Sequence, residues 1–428
     1  MLMSARARKS LPSQKLHERA WKGIGEPESM PKARHQQMKT VLIIEAQMKQ
    51  YRLPFYEMLY ERLRDADIRL RVAYSDPAGQ ELRKRDNCVL PLEFGLSVKG
   101  SWVFYDRVLY QPLLREICFA DLVITDHAYK LALTHYLLLV SRLGLKRVGF
   151  WGHGRNRQGN ALRFPEKYKK RTLDWVTWWF AYTAGTAEYL HRQGVPKSKT
   201  TTVQNSVDTR RIQEHVQHLD TNARARIRSA MGIPVAAPVG IFVGALQKVK
   251  YVSLLLDASR AIRKSVGEFH LIIVGGGPEE EAIRESAREQ SWVHIAGSKF
   301  GDEKSELLAI ADVFLLPGMV GLAILDAFAA GLPVVTTRLP IHSPEVEYLE
   351  EGSNGIVTEH HSVAYADAVV DILLHPQKLH QLQSGARLSA EKYSIEAMVE
   401  NFRRGILQCL AQPRWQWGPL KWRKEQST

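Results

Sequence analysis

At 428 residues the chain is too long for one typical domain, and two domains of about 180 residues each fit it comfortably. Its 45% apolar and 24% charged residues are ordinary globular composition, ample for sizeable cores. Cys88, Cys118 and Cys409 are odd in number, far apart and without metal spacing, which excludes a disulfide framework and points to a reducing compartment.

The net charge of +14 is unevenly placed, and residues 1–40 hold nine Lys/Arg against three Glu. Residues 1–39 lack periodicity and read as a flexible basic arm; being polar, they are not expected to act as a signal peptide. Val41 to Glu45 (VLIIE) is the first strand, followed by a loop, Ala46 to Arg52. Leu53 to Leu63 reads as an amphipathic helix and Ile68 to Tyr74 as a strand. This β-α-β opening predicts a parallel, doubly wound sheet. Asp65-Ala66-Asp67 spells a metal-type DxD, but it lies among charges at a helix end and reads as surface.

The stretch to about Tyr110 is charged and irregular. Leu122 to Thr125 is a strand running into Asp126-His127. Arg147 to Phe150 is another, running into Trp151-Gly152-His153-Gly154. Ending just after strands, Asp126, His127 and His153 are expected at the mouth of a cleft. Arg155 and Arg157 follow as candidates for an acceptor phosphate. Trp175, Trp178, Trp179 and Phe180 read as a buried helix face, with Phe180 to Thr183 continuing the sheet. Thr202 to Asp208 closes the first half. Apolar runs such as Leu131 to Leu145 are interrupted by His135, Ser141 and Arg142, so no segment is expected to span a bilayer.

A charged helical stretch and a Pro-rich break over 209–235 mark a domain boundary, and a second β-α-β series follows. Strands are expected at Val239 to Val243, Phe269 to Val274 and His294 to Ala296, and helices at Val252 to Ile262 and Pro278 to Arg288. Val313 to Leu316 is a short buried strand stopped by Pro317. The side-chain-poor loop Gly318-Met319-Val320-Gly321 leads into a helix from Leu322 to Ala330, ended by Gly331-Leu332-Pro333 before the strand Val334 to Thr337. A Gly-containing loop at a helix N-terminus suits a phosphate, and Asp326, a turn deeper, suits ribose hydroxyls. Ordinary α/β packing accounts for the same pattern equally well. Residues 363–412 are largely helical, and Ser394 to Leu410 is expected to cross back to the first domain. The tail, PRWQWGPLKWRKEQST, interleaves Trp415, Trp417 and Trp422 with four basic residues, as suits an anionic membrane surface. No nucleic-acid-binding signature accompanies the charge.

Six pieces in order carry a resemblance: VQNSVD with Asn205 and Asp208, FVGALQKVK (Phe242 to Lys250), IIVGGGPEEE (Ile272 to Glu281), HIAG (His294 to Gly297), GMVGLAILDAFAAGLPVVTT from Gly318, and SPEVEYLEEGSNG from Ser343. Together they resemble the retaining GT-B glycosyltransferases of the family-4 or "group 1" type. The resemblance implies two Rossmann-like domains facing a central cleft: 40–215 on the acceptor side and 216–392 on the nucleotide-sugar side, with a crossover helix at 393–412. It implies sugar transfer from a nucleotide-diphosphate sugar to a glycan or lipid-linked acceptor, with retention, in cell-envelope or extracellular polysaccharide synthesis. The cysteine usage, and not the resemblance, gives the cytoplasm as the expected place, and the basic tails suggest its membrane face as a peripheral site. No metal and no cofactor beyond the donor are implied.

Carried over by position, Lys250 matches the diphosphate-binding lysine, with Gly244, Gly297 and the loop Gly318 to Leu322 around it. Glu345 resembles an acid near the nucleotide. His153 resembles a histidine near the donor sugar, with Asp126 and His127 as its companions. The chain departs from the family in three places. Ala245 replaces an expected Arg, leaving Lys248 as its substitute, and Tyr251 replaces a Gly. Gly318 and Asp326 stand where the family has Glu, seven residues, Glu. A nucleotide-sugar epimerase of the same fold and a catalytically degenerate scaffold remain alternatives.

Overall fold

The computed structural model describes residues 38–76, 87–103, 108–128, 130–154 and 163–413. The expected basic arm, the Trp-bearing tail, Arg155 and Arg157 lie outside the described residues, apart from the innermost residues of the arm and tail.

The first domain is a seven-stranded parallel sheet built from β1 (Lys39–Gln47), β2 (Ile68–Ser75), β3 (Gly95–Val98), β6 (Leu122–Asp126), β7 (Arg147–Gly152), β8 (Trp178–Ala181) and β9 (Thr200–Thr202). Their order is β3-β2-β1-β6-β7-β8-β9. Its central strands are continuous apolar runs because both faces are covered: Val41, Leu42, Ile43 and Ile44 are all essentially inaccessible. One face carries α2 (Leu114–Phe119), α3 (Ala132–Arg142) and α5 (Ala184–Arg192), and α4 (Arg163–Thr172) lies beside α3. The other carries α1 (Leu53–Arg64) and, from the far end of the chain, α14 (Ile395–Ala411).

The crossover is therefore core to the first domain. Phe402 stacks on Phe180 at 4.5 Å and meets Trp151 and Phe55 edge-on. Gly405 lets the helix approach, since a Cβ there would lie 2.7 Å from the Phe180 ring.

The stretch read as irregular contains the edge strand β3 and a small hairpin, β4 (Ser101–Val103) with β5 (Val108–Tyr110). Three of the four clustered aromatics are buried, but on a strand: Trp178, Trp179 and Phe180 are β8 residues, whereas Trp175 is half-buried in the preceding 3-10 turn. That strand ends at Ala181, before Thr183, because the Thr183 hydroxyl turns to cap α5 through the Thr186 amide (3.2 Å).

The second domain opens with α6 (Arg210–His218) and α7 (Thr221–Ala230). A six-stranded parallel sheet follows, from β10 (Val239–Val243), β11 (His270–Val274), β12 (Val293–Gly297), β13 (Val313–Leu316), β14 (Val334–Thr337) and β15 (Gly355–Thr358). The order is β12-β11-β10-β13-β14-β15. The sheet is covered by α8 (Val252–Val266), α9 (Glu280–Ala287), α10 (Gly301–Ala309), α11 (Ala323–Ala329), α12 (Ser362–Leu374) and α13 (Pro376–Lys392). The boundary expected at 215/216 falls inside α6, which packs on α10 of the second domain and is tied to it by the Arg211–Asp302 ion pair (2.8 Å).

In each sheet one strand has neighbours reached by opposite crossovers, β1 beside β6 in the first and β10 beside β13 in the second. Such switch points open a crevice at the carboxyl ends of the strands, where ligands of doubly wound sheets lie. The carboxyl ends of the two sheets face each other. Asn205, beyond β9, donates through Nδ2 to Glu345 beyond β14 (2.6 Å), and the Gly185 amide, beyond β8, donates to Glu347 (2.8 Å).

Candidate active site

At the second switch point the chain leaves β10 at Gly244 and makes a 3-10 turn over Lys248–Lys250. The turn presents its two lysines differently: Lys248 is exposed, while Lys250 is buried and lies against Gly244. The Lys250 ammonium donates to the Met319 carbonyl (2.5 Å), and burial lowers its pKa to about 8. The Met319 amide returns to the Val249 carbonyl (2.8 Å), so the turn and the loop after β13 are laced together.

Two departures from the family pattern have a physical account here. A Cβ on Gly318 would lie 2.3 Å from the Lys250 carbonyl carbon, so no side chain, acidic or otherwise, fits at 318 in this backbone. Tyr251 adopts φ 50°, ψ 44°, the left-handed region that a glycine enters freely and that costs another residue roughly 1–2 kcal/mol. Its ring is held edge-on to His360 at 4.4 Å.

The loop after β13 is less open to a phosphate than its composition suggests. The Val320 amide donates to His342 Nδ1 (3.0 Å), and His342 Nε2 in turn bonds the Thr337 carbonyl (2.7 Å). That arrangement fixes a neutral imidazole, and burial with nearby Lys250 lowers its pKa. With Met319 and Val320 engaged internally, Gly321 and Leu322 are what this loop offers at the start of α11. The helix itself is shorter than expected, beginning at Ala323.

Asp326 does not stand free for a ribose: its carboxylate is paired with Lys304 of α10 at 2.8 Å. Gly297 ends β12 at φ 70° and accepts from the Gly275 amide, two strands from the switch point, so it shapes a turn. Glu345 is buried and taken up by Asn205, which makes it an interdomain tie and not a free acid at the nucleotide end.

At the first switch point a cavity of about 90 Å³ is lined by Glu45, Lys49, Arg52, Asp126, Trp151 and Tyr182, among others. Glu45 accepts from the Tyr56 hydroxyl (2.6 Å), and burial raises its pKa against the opposing pull of Arg52 and that bond. Arg52 is 93% buried, its guanidinium 4.4 Å from the centre of the Trp151 ring. Its Nη1 has no hydrogen-bond partner among the described residues. Asp126 keeps solvent contact on this floor, yet the protein crowded around it raises its pKa, while Lys169 works against the shift.

Successive residues of a strand point to opposite faces, and this separates Asp126 from His127. Asp126 faces the cavity, whereas His127 turns into the core, stacked on Phe150 at 4.5 Å and bonded to Thr172 (3.1 Å). Burial lowers the His127 pKa to about 3, so it is a neutral packing residue and not a catalytic one. His153 lies beside the cavity and does not line it: it follows Gly152, where a Cβ would lie 3.1 Å from Asp126 Oδ1, and its ring lies edge-on to Tyr182 at 4.9 Å.

The cavity thus joins Asp126 to Glu45, Arg52 and Tyr182, which the sequence reading passed over, with His153 reaching it only through the Tyr182 ring. Glu45 was the one with a signal, a charged residue closing an apolar strand. Two carboxylates, cations and aromatic walls make a surface that accepts bonds from hydroxyls and packs the apolar faces of a sugar ring.

Residues 237–375 match the family model described as "Glycosyl transferases group 1". A D-inositol 3-phosphate glycosyltransferase of Saccharomonospora viridis is 28% identical over 203 residues, 43% of this chain and 47% of that one. A GDP-mannose-dependent alpha-(1-6)-phosphatidylinositol monomannoside mannosyltransferase of Mycolicibacterium smegmatis is 27% identical over 284 residues, 63% of this chain and 65% of that one. The chain spans about half the length of the curated relatives it matches first. Among solved structures, HepE of Anabaena in complex with UDP superposes with a TM-score of 0.64 at 14% identity, covering 86% of this chain and 100% of that one. A glycosyltransferase of Rickettsia africae gives 0.64 at 15%, covering 88% and 99%. Residues 237–375 thus carry the match to the group 1 glycosyltransferase model, and with its two facing parallel sheets the chain has the GT-B fold of these solved structures.

Proposed function

We propose that the protein transfers a sugar from a nucleotide-diphosphate sugar to a hydroxyl of a glycan or lipid-linked acceptor, with retention at the anomeric carbon. The observation that carries this reading is Lys250, a buried cation at the switch point of the second sheet, taken with the polar cavity at the switch point of the first. The relatives support it: one is named for a GDP-mannose donor, and HepE has been solved with UDP and with UDP-glucose. A role in cell-envelope or extracellular polysaccharide synthesis fits the WcaL glycosyltransferase of Escherichia coli, named for colanic acid and 29% identical over 195 residues.

In the proposed reaction the donor diphosphate lies against Lys250, with Lys248 at the exposed side of the same turn. The acceptor hydroxyl is placed in the first-domain cavity beside Asp126 and Glu45. The bond from C1 to the diphosphate oxygen breaks while the acceptor oxygen bonds to C1 from the same side. The acceptor proton passes to the departing diphosphate, whose charge Lys250 stabilises. Metal-independence follows from this scheme as an expectation, since basic side chains do the neutralising.

The test is the product anomer. With a donor that turns over in the presence of acceptor sugars, proton NMR of the first product is expected to show the donor's own anomeric configuration. An inverted product overturns the retaining assignment, and donor consumption without acceptor would favour the epimerase alternative.

A further inference from the structure

Two buried donors at the first switch point have no hydrogen-bond partner among the described residues. They are Arg52 Nη1 and Trp151 Nε1, on side chains that both line the cavity of about 90 Å³ and are only 7% and 5% exposed. A core rarely leaves such groups unpaired, because each has given up water and gained nothing in exchange. Both are also firmly held. Arg52 closes the 3-10 turn Gln50–Arg52 through its amide to the Lys49 carbonyl (2.9 Å), and α1 begins at the next residue with Pro54 in its first turn. Its guanidinium lies over the Trp151 ring, which Phe55 and Phe402 pack against at 5.5 and 4.9 Å.

The same cavity offers acceptors. Glu45 takes one bond from the Tyr56 hydroxyl, and Asp126 keeps solvent contact, so both carboxylates have lone pairs to give. Their charges are matched by Lys49 and Arg52, which line the cavity with them. Burial raises the pKa of both carboxyls, so the site already resists the negative charge it holds. A phosphate or carboxylate entering here would be a third anion.

We propose that this cavity reads the acceptor as a neutral vicinal diol, with Arg52 and Trp151 donating to its oxygens and Glu45 and Asp126 accepting from its hydroxyls. Arg52 is then a specificity-determining residue. Each hydroxyl of a diol both donates and accepts, which this set of partners requires, whereas a phosphate supplies oxygens to the donors and almost no hydrogens to the carboxylates. The cavity is small beside the roughly 300–1,000 Å³ of a pocket that encloses a whole ligand, and this suits one edge of a sugar ring. Calling the ligand an acceptor rests on the transfer reading; its binding is measured without turnover.

The experiment is saturation-transfer difference NMR of the full chain with the methyl glycosides of mannose, galactose and glucose and their monodeoxy analogues, each with and without UDP. At least one glycoside is expected to bind saturably and to resist competition by excess inorganic phosphate. Removing either hydroxyl of the bound diol is expected to weaken it about tenfold, and Arg52→Gln to do the same. Arg52→Lys, which keeps the charge and loses the planar fork, should bind no better than Arg52→Gln. The deoxy series and the phosphate competition are read on wild type, so they stand even where an Arg52 variant fails to fold. Displacement of the glycoside by phosphate overturns the proposal in favour of an anion subsite. Absence of glycoside binding in both conditions, or a folded Arg52→Gln protein that binds like wild type, also overturns it. Nucleotide-sugar binding that persists in that event leaves the transfer reading in place. Glycoside binding that survives Lys250→Ala while nucleotide-sugar binding is lost supports the diol site on its own.

Discussion

Lys250 is held by burial at the edge of losing its charge, and that has a readable consequence. Only the ammonium form neutralises a diphosphate, so donor affinity is expected to be level below pH 8 and to fall as pH rises through about 8. Because a bound diphosphate restores the proton, calorimetry at pH 8–9 in buffers of different ionisation enthalpy should record proton uptake. Lys250→Arg should abolish both effects, and a flat profile in wild type would contradict the assignment. The same shift has a stability sign. Between about 8 and the ordinary 10.5 the unfolded chain binds the proton that the folded chain releases, so this group opposes folding at neutral pH and opposes it less as pH rises.

His127 makes the complementary case. Neutral, stacked on Phe150 and bonded to Thr172, it should accept His127→Phe with a loss of about 1 kcal/mol, measured by thermal melting, and with kcat nearly intact. A general acid or base would cost about a hundredfold or more in kcat, and such a loss would return His127 to the site.

Among the elements, those that hold the two sheets together turn out to matter as much as those that form them. The 3-10 turn Pro344–Tyr348 is fastened to the first domain three times: Glu345 to Asn205, Glu347 to the Gly185 amide, and the Tyr348 hydroxyl to the Asn205 carbonyl (2.9 Å). The approach at Gly185 is close, since a Cβ there would lie 2.4 Å from Glu347 Oε1. Gly185→Ala is therefore expected to push the carboxylate off the amide, costing about 1–3 kcal/mol. Faster hydrogen exchange across 344–348 would report the loosened tie, and exchange equal to wild type would show that the tie is not needed.

At this scale the sequence was a good guide to parallel strands, because burial on both faces leaves uninterrupted apolar runs such as VLII and VFLL. It was a poor guide to what depends on a distant partner. Nothing in the local pattern around Glu345 or Asp326 announces Asn205 or Lys304, 140 and 22 residues away. Tyr251 shows the same limit from the other side. Its residue type argues against a left-handed turn, and the His360 contact that holds it there comes from far along the chain.

For the whole molecule, two parallel sheets with switch points at β1/β6 and β10/β13 are joined by the crossover helix α14 and by the ties beyond β8, β9 and β14. Ser206 adds a further join, its hydroxyl donating to the Tyr393 carbonyl (2.6 Å) just before that helix. This frame was legible from the repeated strand-helix alternation and from the order of six short motifs. The first-domain cavity was partly legible, through Asp126, because strand ends are visible in a sequence while the loop that brings Arg52 over Trp151 is not.

The account's central claim is that the β10/β13 switch point binds the diphosphate of a nucleotide sugar through Lys250. The most direct measurement is a calorimetric titration of the protein with uridine-, guanosine- and adenosine-diphosphate sugars, repeated with Lys250→Ala and Asp326→Ala. The account predicts saturable binding of one nucleotide class, weakened about tenfold or more by Lys250→Ala. Asp326→Ala is expected to act less strongly, by unpairing Lys304. Binding that survives Lys250→Ala at full strength, or no binding of any nucleotide sugar, would contradict it, and the latter would identify the chain as a scaffold that kept the fold without the chemistry.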